Sequence, residues 1–438
     1  MPRARAVIVA VVAFVVFNAN GREIATYDSQ PAKYLAVEIA KRGTLSLGHV
    51  VGRTPQLAER PGFQPDTRGN YRPAYPLPSA LAAAGTAAIL SGIGIVELDG
   101  LLVPSLVAKL TASLLTAICV GWAFAAARHY TSAQRATVLA LAFALGTNLW
   151  AAVSQTLWQQ ETALCALMAA IALLCAPQRS VGSLLMIGAL LGLAGWARPQ
   201  LTPTVIVACA WIATREGVRS AIALIPVLTV AGTAMSINLA WFNHPLGAVP
   251  VLEGLHPSVH GVSGSLERRP WIAALGLLVS PSRGLLVFSP IVLVAAFGLR
   301  RAFAEGRKSE LTWCAIAAFI QLASYSLYAV WWGGHTFGPR YAIDILPPLV
   351  PLAAVGINTV MRSKALRLSA AVALAWSVVL QALGAFVYPA EQWNLVPRDV
   401  DTSHERLWDW RDSQVSRIMT TAEWDSRNYS LFSREEYR

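Results

Sequence analysis

The chain has 438 residues, of which 55% are hydrophobic and only 13% charged, and its 35 Lys and Arg against 24 Asp and Glu give a net charge of +11. A soluble globular domain carries about 25% charged residues. This composition, with a mean hydropathy of +0.49, excludes a soluble enzyme, a disordered chain and a disulfide-rich secreted module, and predicts an all-α polytopic membrane protein. The basic residues are scattered through short loops, as positive-inside loops require, and form no nucleic-acid patch.

Met1–Asn18 places Arg3 and Arg5 ahead of the apolar run Ala6–Asn18. It reads as an uncleaved first helix, because many spans follow. Ten further runs have spanning character: Leu101–Ala127, Ala136–Trp150, Thr162–Ala176, Val181–Ala197, Leu201–Ala213, Ala221–Trp241, Leu285–Leu299, Leu311–Trp331, Tyr341–Val360 and Leu366–Tyr388. That makes about eleven transmembrane helices. Leu77–Val96 is also apolar, but counting it would invert every later loop. Left uncounted, as a juxtamembrane or re-entrant segment, it lets 14 basic residues fall on one side with only Glu216, Glu305 and Glu310. The positive-inside rule then puts the N-terminus inside. The expected location is the cell inner membrane, multi-pass, with the outer loops periplasmic.

The transmembrane module is therefore 1–388, with a first outer loop over 21–100 and a second over 242–284. A short outer tail occupies 389–438. Three short outer turns fall around Gln155–Glu161, Arg198–Pro199 and Trp332–Arg340. Trp393, Trp408, Trp410 and Trp424 predict that the tail packs back onto the outer loops, since disordered tails seldom carry such aromatics. The five cysteines lie within or at the ends of apolar runs and have no metal-ligand spacing. There is no internal repeat of fixed period, which counts against a transporter built from paired halves.

Candidate site residues cluster at the outer edge. Asp28, in Thr26-Tyr27-Asp28-Ser29-Gln30-Pro31, stands just beyond the first span. A carboxylate aimed at an acceptor hydroxyl there would serve as a general base. The competing reading is a helix N-cap for Pro31–Arg42. Other outer acids open to the base role are Glu23, Asp66 and Glu161. Tyr71, Arg72 and Tyr75 combine a cation with two aromatic faces, which suits sugar stacking or a lipid headgroup, or else an interfacial aromatic belt. Arg198, Arg283 and Arg340 lie outside, where positive-inside placement does not account for them. An arginine fork binds phosphate bidentately. Snorkelling or pairing is the alternative, and Arg340 would pair with Asp344 one helical turn on. Lys109, inside a span, would snorkel or line a cavity. His335 lies among glycines and tryptophans, where it would orient a substrate or bind a metal. His49, His244, His256 and His260 are also outside, but no HxH or HxxxH pattern joins them, so the sequence indicates no metal and no other cofactor.

Taken in order, four stretches resemble the polytopic polyprenyl-phosphate-sugar-dependent glycosyltransferases of the GT-C fold, which include protein O-mannosyltransferases and the lipid A aminoarabinose transferase. They are Thr26-Tyr27-Asp28-Ser29, Tyr71-Arg72-Pro73-Ala74-Tyr75-Pro76, Gly192 to Pro199, and Trp331-Trp332-Gly333-Gly334 through Phe337-Gly338-Pro339-Arg340-Tyr341. Ser280-Pro281-Ser282-Arg283-Gly284 and Phe288-Ser289-Pro290 add a weaker match, and the resemblance runs over roughly 1–390. It implies a GT-C membrane fold with a long first outer loop forming juxtamembrane helices. It implies inverting transfer of a sugar from a polyprenyl-phosphate donor to an extracytoplasmic hydroxyl acceptor, on a glycolipid, polysaccharide or protein. Asp28 would be the base, and arginines would steady the leaving phosphate. The chain departs from the pattern in having Ser29 where many relatives have a second acid, Tyr71, Arg72 and Tyr75 in place of a His-rich segment, and Gln159-Gln160-Glu161 where a His often follows. The alternative function is a lipid or glycolipid transporter or flippase, which would need ionisable groups at mid-membrane.

Overall fold

The computed structural model describes residues 2–250, 252, 266–267, 269–306, 309–388 and 392–420. In chain order its helices are α1 (Pro2–Asn18), α2 (Gln30–Arg42), α3 (Gly48–Arg53), α4 (Pro78–Gly92), α5 (Val103–Ala127), α6 (Ala133–Leu145), α7 (Gln160–Leu174), α8 (Val181–Ala197), α9 (Thr202–Glu216) and α10 (Ala221–Phe242). Then come α11 (Pro270–Val279), α12 (Leu285–Phe288), α13 (Ala296–Glu305), α14 (Glu310–Ser326), α15 (Leu346–Val360), α16 (Lys364–Phe386) and α17 (Gln414–Thr420). Among the described residues, four stretches are long and apolar enough to cross a membrane: α5, the run Pro199–Phe242, Tyr341–Val360 and α16.

Two kinds of residue start these helices. Ser132, Ser180, Ser309 and Ser363 each accept a first-turn backbone N–H with the hydroxyl and open α6, α8, α14 and α16. Proline in the first two positions opens α2, α4, α5, α9, α11 and α15, where its missing N–H costs nothing.

α1 and α5 pack antiparallel. The Lys109 ammonium donates to the Phe17 carbonyl at 2.8 Å, Asn18 Nδ2 donates to Ser113 Oγ at 2.9 Å, and Gly121 lies against Ala6. The segment between the two helices therefore leaves and returns at one end of the bundle. α4 lies within that segment, packed on α2 through Ala80, Ala83, Ala84 and Ala87. Its 15 residues reach only about 22 Å, against about 30 Å of bilayer hydrocarbon. At the opposite end Asn358 accepts from Thr131 and Arg135 and donates to the Tyr130 carbonyl, while the Tyr130 hydroxyl donates to Glu310 at 2.7 Å. Small residues let helices touch: a Cβ on Gly188 would fall 2.0 Å from the Ala223 carbonyl, so α8 and α10 meet backbone to backbone.

The structure departs from the sequence reading at several of the expected runs. The run Leu285–Leu299 is broken into α12, a 3-10 turn over Pro290–Ala295, and α13, because Pro290 lacks the N–H that would continue the ladder. Tyr341–Val360 begins as a 3-10 turn over Tyr341–Ile345 before α15. The second outer loop contains the apolar helix α11. The loop 21–100 carries the helices α2, α3 and α4 and an antiparallel hairpin of β1 (Phe63–Pro65) and β2 (Tyr71–Pro73). Trp393, Val400 and Leu407 of the tail share a core with Tyr325, Trp331 and Trp332, and Trp408 packs on Trp331. Trp410 is exposed, and Trp424 lies outside the described residues.

Candidate functional site

The base of the first outer loop is fastened before it reaches Asp28. After α6 the chain makes a π-helical turn over Leu149–Val153, and Gln155 folds its amide back onto the Trp150 carbonyl at 2.6 Å. Gln155 Oε1 then accepts from Asn20 and from Lys109, each at 2.6 Å. Lys109 is thus buried between carbonyl groups and neither snorkels nor opens into a cavity. Arg22 reaches across to the Tyr388 carbonyl at 2.6 Å. Such π turns are frequent at functional sites because they re-aim side chains.

Asp28 sits in the 3-10 turn Tyr27–Ser29 that leads into α2. It caps no helix. The residue preceding α2 is Ser29, and the Asp28 carboxylate turns outward, 42% exposed. Its Oδ1 accepts the Tyr75 hydroxyl at 2.8 Å, and its Oδ2 lies 3.3 Å from both terminal nitrogens of Arg340. Burial pushes the Tyr75 phenol up, and the Asp28 charge pushes it further, so Tyr75 stays a donor. The Arg340 guanidinium stacks 4.0 Å from the centre of the Trp158 ring, and its Nε has no hydrogen-bond partner. Thus three residues picked out along the sequence, Asp28, Tyr75 and Arg340, come into direct contact from segments far apart in the chain.

The remaining outer acids are differently placed. Glu23 is buried and bound to the Lys33 ammonium at 2.7 Å and the Thr156 hydroxyl at 2.5 Å. Asp66 closes the hairpin turn, bound to Arg72 at 2.9 Å and to the Arg68 and Asn70 backbone N–H groups. Glu161, in the first turn of α7, is fully buried, and neither oxygen has a hydrogen-bond partner.

The other predicted residues fall into supporting positions. Arg72 stacks on Trp241 at 4.9 Å, and the Tyr71 carbonyl accepts from the Leu47 N–H, so both hold the hairpin to the helices. Arg198 is 2% exposed and pairs with Asp344, which also accepts from Tyr325 and, at 3.2 Å, from Gln160. The anticipated Arg340–Asp344 pair is therefore replaced by Arg340–Asp28 and Arg198–Asp344. Arg283 is completely buried and donates to the Trp332 and Gly334 carbonyls and to Asn394 and Gln414. Gln414 also accepts the Gly338 N–H at 2.8 Å. Gly338 has φ +66° and a space in which a Cβ would meet the Asn148 amide at 2.6 Å, so the loop 332–340 turns there only with glycine. His335 bonds Asp399 at 2.9 Å and lies 3.3 Å from Asp401. His49 pairs with Glu38, while His256 and His260 lie outside the described residues.

Sequence reasoning missed Trp158 and Gln414 as parts of this framework and met Gln160 only as a departure from the resembled pattern. No local pattern marks them. Asp399 and Asp401 carried one signal, an Asp-x-Asp spacing in the tail.

No protein-family model matches the chain, and no curated protein sequence does. Among solved structures, ArnT from Cupriavidus metallidurans bound to undecaprenyl phosphate superposes with a TM-score of 0.50 at 14% identity, covering 86% of this chain and 75% of that one. The Archaeoglobus fulgidus oligosaccharyltransferase complex with Zn and sulfate gives 0.47 at 12% identity, covering 92% of this chain and 57% of that one. The oligosaccharyltransferase AglB from the same organism, in complex with an inhibitory peptide and a dolichol-phosphate, gives 0.45 at 12% identity over 92% and 59%. At such identity the likeness concerns the path of the chain, and by that path the protein is an all-α membrane protein of the GT-C fold.

Proposed function

We propose that the protein is an integral membrane glycosyltransferase that moves a sugar from a polyprenyl-phosphate donor to an extracytoplasmic hydroxyl acceptor, with inversion, using Asp28 as general base. One observation carries this reading. Of the four acids weighed for the base role, Asp28 alone is solvent-accessible while held by two donors, Tyr75 and Arg340. Glu23 and Asp66 are consumed by buried ion pairs, and Glu161 is sealed from solvent.

In the transfer, the acceptor oxygen forms a bond to the anomeric carbon as the bond from that carbon to the phosphate oxygen breaks. The hydroxyl proton passes to the Asp28 carboxylate, and the polyprenyl phosphate leaves with the electron pair. Tyr75 fixes one carboxylate oxygen and leaves the other to Arg340. Two 3.3 Å contacts from one guanidinium to a single oxygen are long for a charge-assisted pair. A donor phosphate offers that fork a better partner, so donor binding would draw Arg340 away from Asp28 and uncover the base where charge develops. Trp158 holds the guanidinium plane from behind. Arg283 acts through the backbone carbonyls it braces, and Arg198 through the Asp344 and Tyr325 side chains it ties down. The inner membrane, with this face in the periplasm, is the location that the basic loops support.

The test is sugar transfer by the purified protein in nanodiscs from a panel of polyprenyl-phosphate sugars, wild type beside Asp28→Asn. Transfer that falls by about 10²- to 10⁴-fold in the variant, with an unchanged unfolding midpoint, is expected. Transfer that survives in Asp28→Asn removes the base assignment, and wild-type protein inactive with every donor overturns the reading.

A further inference from the structure

The tail and the loop 332–340 meet at a cluster that the transfer chemistry does not use. We propose that His335, Asp399 and Asp401 form a binding site for a divalent transition-metal cation of the Zn2+ or Mn2+ class, which clamps the tail onto the loop that carries Arg340.

The geometry fits an ion. His335 Nε2 stands 2.9 Å from Asp399 Oδ1 and 3.3 Å from Asp401 Oδ2, and one donor atom from each residue lies within 4.8 Å of the others. A tetrahedral ion with bonds of about 2.1 Å needs donors about 3.4 Å apart. The donors are therefore near coordinating distance before any ion arrives. Charge favours the same occupant. Among the described residues neither Asp399 nor Asp401 has a Lys or Arg partner, and the His335 imidazole is the group they share. With a neutral imidazole the site holds two uncompensated negative charges.

Donor type narrows the class. One imidazole nitrogen with two carboxylates suits Zn2+ or Mn2+, whereas Mg2+ and Ca2+ prefer six or more oxygens. Three protein donors leave a coordination position for water. The surrounding bonds orient the ligands. The Trp332 indole donates to Asp401 Oδ1 at 2.6 Å, and the Asp401 N–H donates to Asp399 Oδ1 at 2.8 Å. Both sides are anchored: Arg283 holds the Trp332 and Gly334 carbonyls, and Trp393 roots the tail in the core. His335 and Asp399 are partly exposed, which gives the ion access from solvent.

The site stands apart from the proposed transfer reaction, and its test reads binding, not activity. The full chain, without a polyhistidine tag, is stripped with chelator in nanodiscs and titrated calorimetrically with Zn2+ and with Mn2+, with Mg2+ as the comparison. One saturable site per chain is expected for Zn2+ and Mn2+, with a rise in unfolding midpoint. Asp399→Asn, at the exposed edge, is expected to fold and to weaken binding by at least about tenfold, and His335→Gln by more. Mn2+ resonance spectra should show loss of the bound species in both. No saturable binding, or binding unchanged in both variants, overturns the site. If His335→Gln lowers the midpoint of chelated protein while added Zn2+ leaves wild type unchanged, the cluster is a plain histidine–aspartate ion pair and the proposal fails.

Discussion

The end of the bundle that carries Asp28 contains two clusters with the same three residue types. Arg340, Asp28 and Tyr75 form one, and Arg198, Asp344 and Tyr325 form the other. They are neighbours, since Gln160 donates both to the Arg340 carbonyl at 2.8 Å and to Asp344. In the inner cluster every carboxylate oxygen of Asp344 is engaged, and the Tyr325 ring stacks at 4.7 Å on Tyr341. In the outer one, Asp28 is open to solvent and its arginine contacts are long. The same side chains thus make a strut where water is excluded and an exchangeable set where it is not. Burial separates the two, because an unpaired charge is costly only where solvent cannot replace its partner.

The largest effect should come from breaking the strut. Arg198→Ala leaves Asp344 charged and buried without its partner, a loss of about 3–5 kcal/mol. Thermal unfolding in nanodiscs, followed by tryptophan fluorescence, should show a markedly lowered midpoint, and Asp344→Asn should do the same. Arg340→Ala, at the pair whose carboxylate is open to solvent, should cost about 1 kcal/mol. Equal destabilisation by Arg198→Ala and Arg340→Ala would erase the distinction between the clusters.

Much of this arrangement was legible in the chain, and the exceptions are physical. Asp28, Tyr75 and Arg340 stood out because charge or aromatic character at the edge of an apolar run is expensive without a purpose. The partner of Arg340 was misassigned because an i to i+4 pair faces one way only in an α-helix. Tyr341–Ile345 is a 3-10 turn, in which each residue advances about 120° and i+4 points elsewhere. Asp344 therefore turns inward to Arg198. Hydropathy located the four stretches long and apolar enough to cross a membrane, and the serine and proline starts were written in the loops. The break at Pro290 was also written, but a continuous apolar run concealed it. The joining of His335 to Asp399 and Asp401 bridges more than sixty residues, and the Asp-x-Asp spacing in the tail does not say which histidine it meets.

A smaller effect should follow at the exchangeable cluster. Tyr75→Phe removes one neutral donor to Asp28 and nothing else of similar size. Once donor binding draws Arg340 away, the carboxylate of the variant has neither contact and loses its aim. A single hydrogen bond of this kind is worth about 1 kcal/mol, or roughly a five- to tenfold fall in turnover. Steady-state transfer assays should place that loss in kcat, with little change in donor KM, since the phosphate contact is untouched. A loss confined to KM would move Tyr75 from aiming the base to binding the donor.

The smallest effect concerns the hairpin beneath the site, a third Arg–Asp pair that behaves like the strut. Burial pushes the Asp66 carboxyl up, but the Asn70 N–H, the Arg72 side chain and the Arg68 N–H more than offset it, and hold it down to about 2. A carboxylate depressed in the folded state stabilises above its unfolded value, near 3.9, and that contribution is lost as pH falls towards about 2. The hairpin should therefore keep its full protection at neutral pH and loosen across that acid window. Arg72, released from Asp66, would keep only its stacking on Trp241. Amide exchange over residues 63–73 should rise relative to α5 as pH drops from about 5 to about 2.5, after correction for intrinsic rates. Asp66→Asn should show the looser hairpin already at neutral pH and no further change on acidification. A flat wild-type profile would mean that strand pairing and the Trp241 contact, not the ion pair, hold this loop under Tyr75.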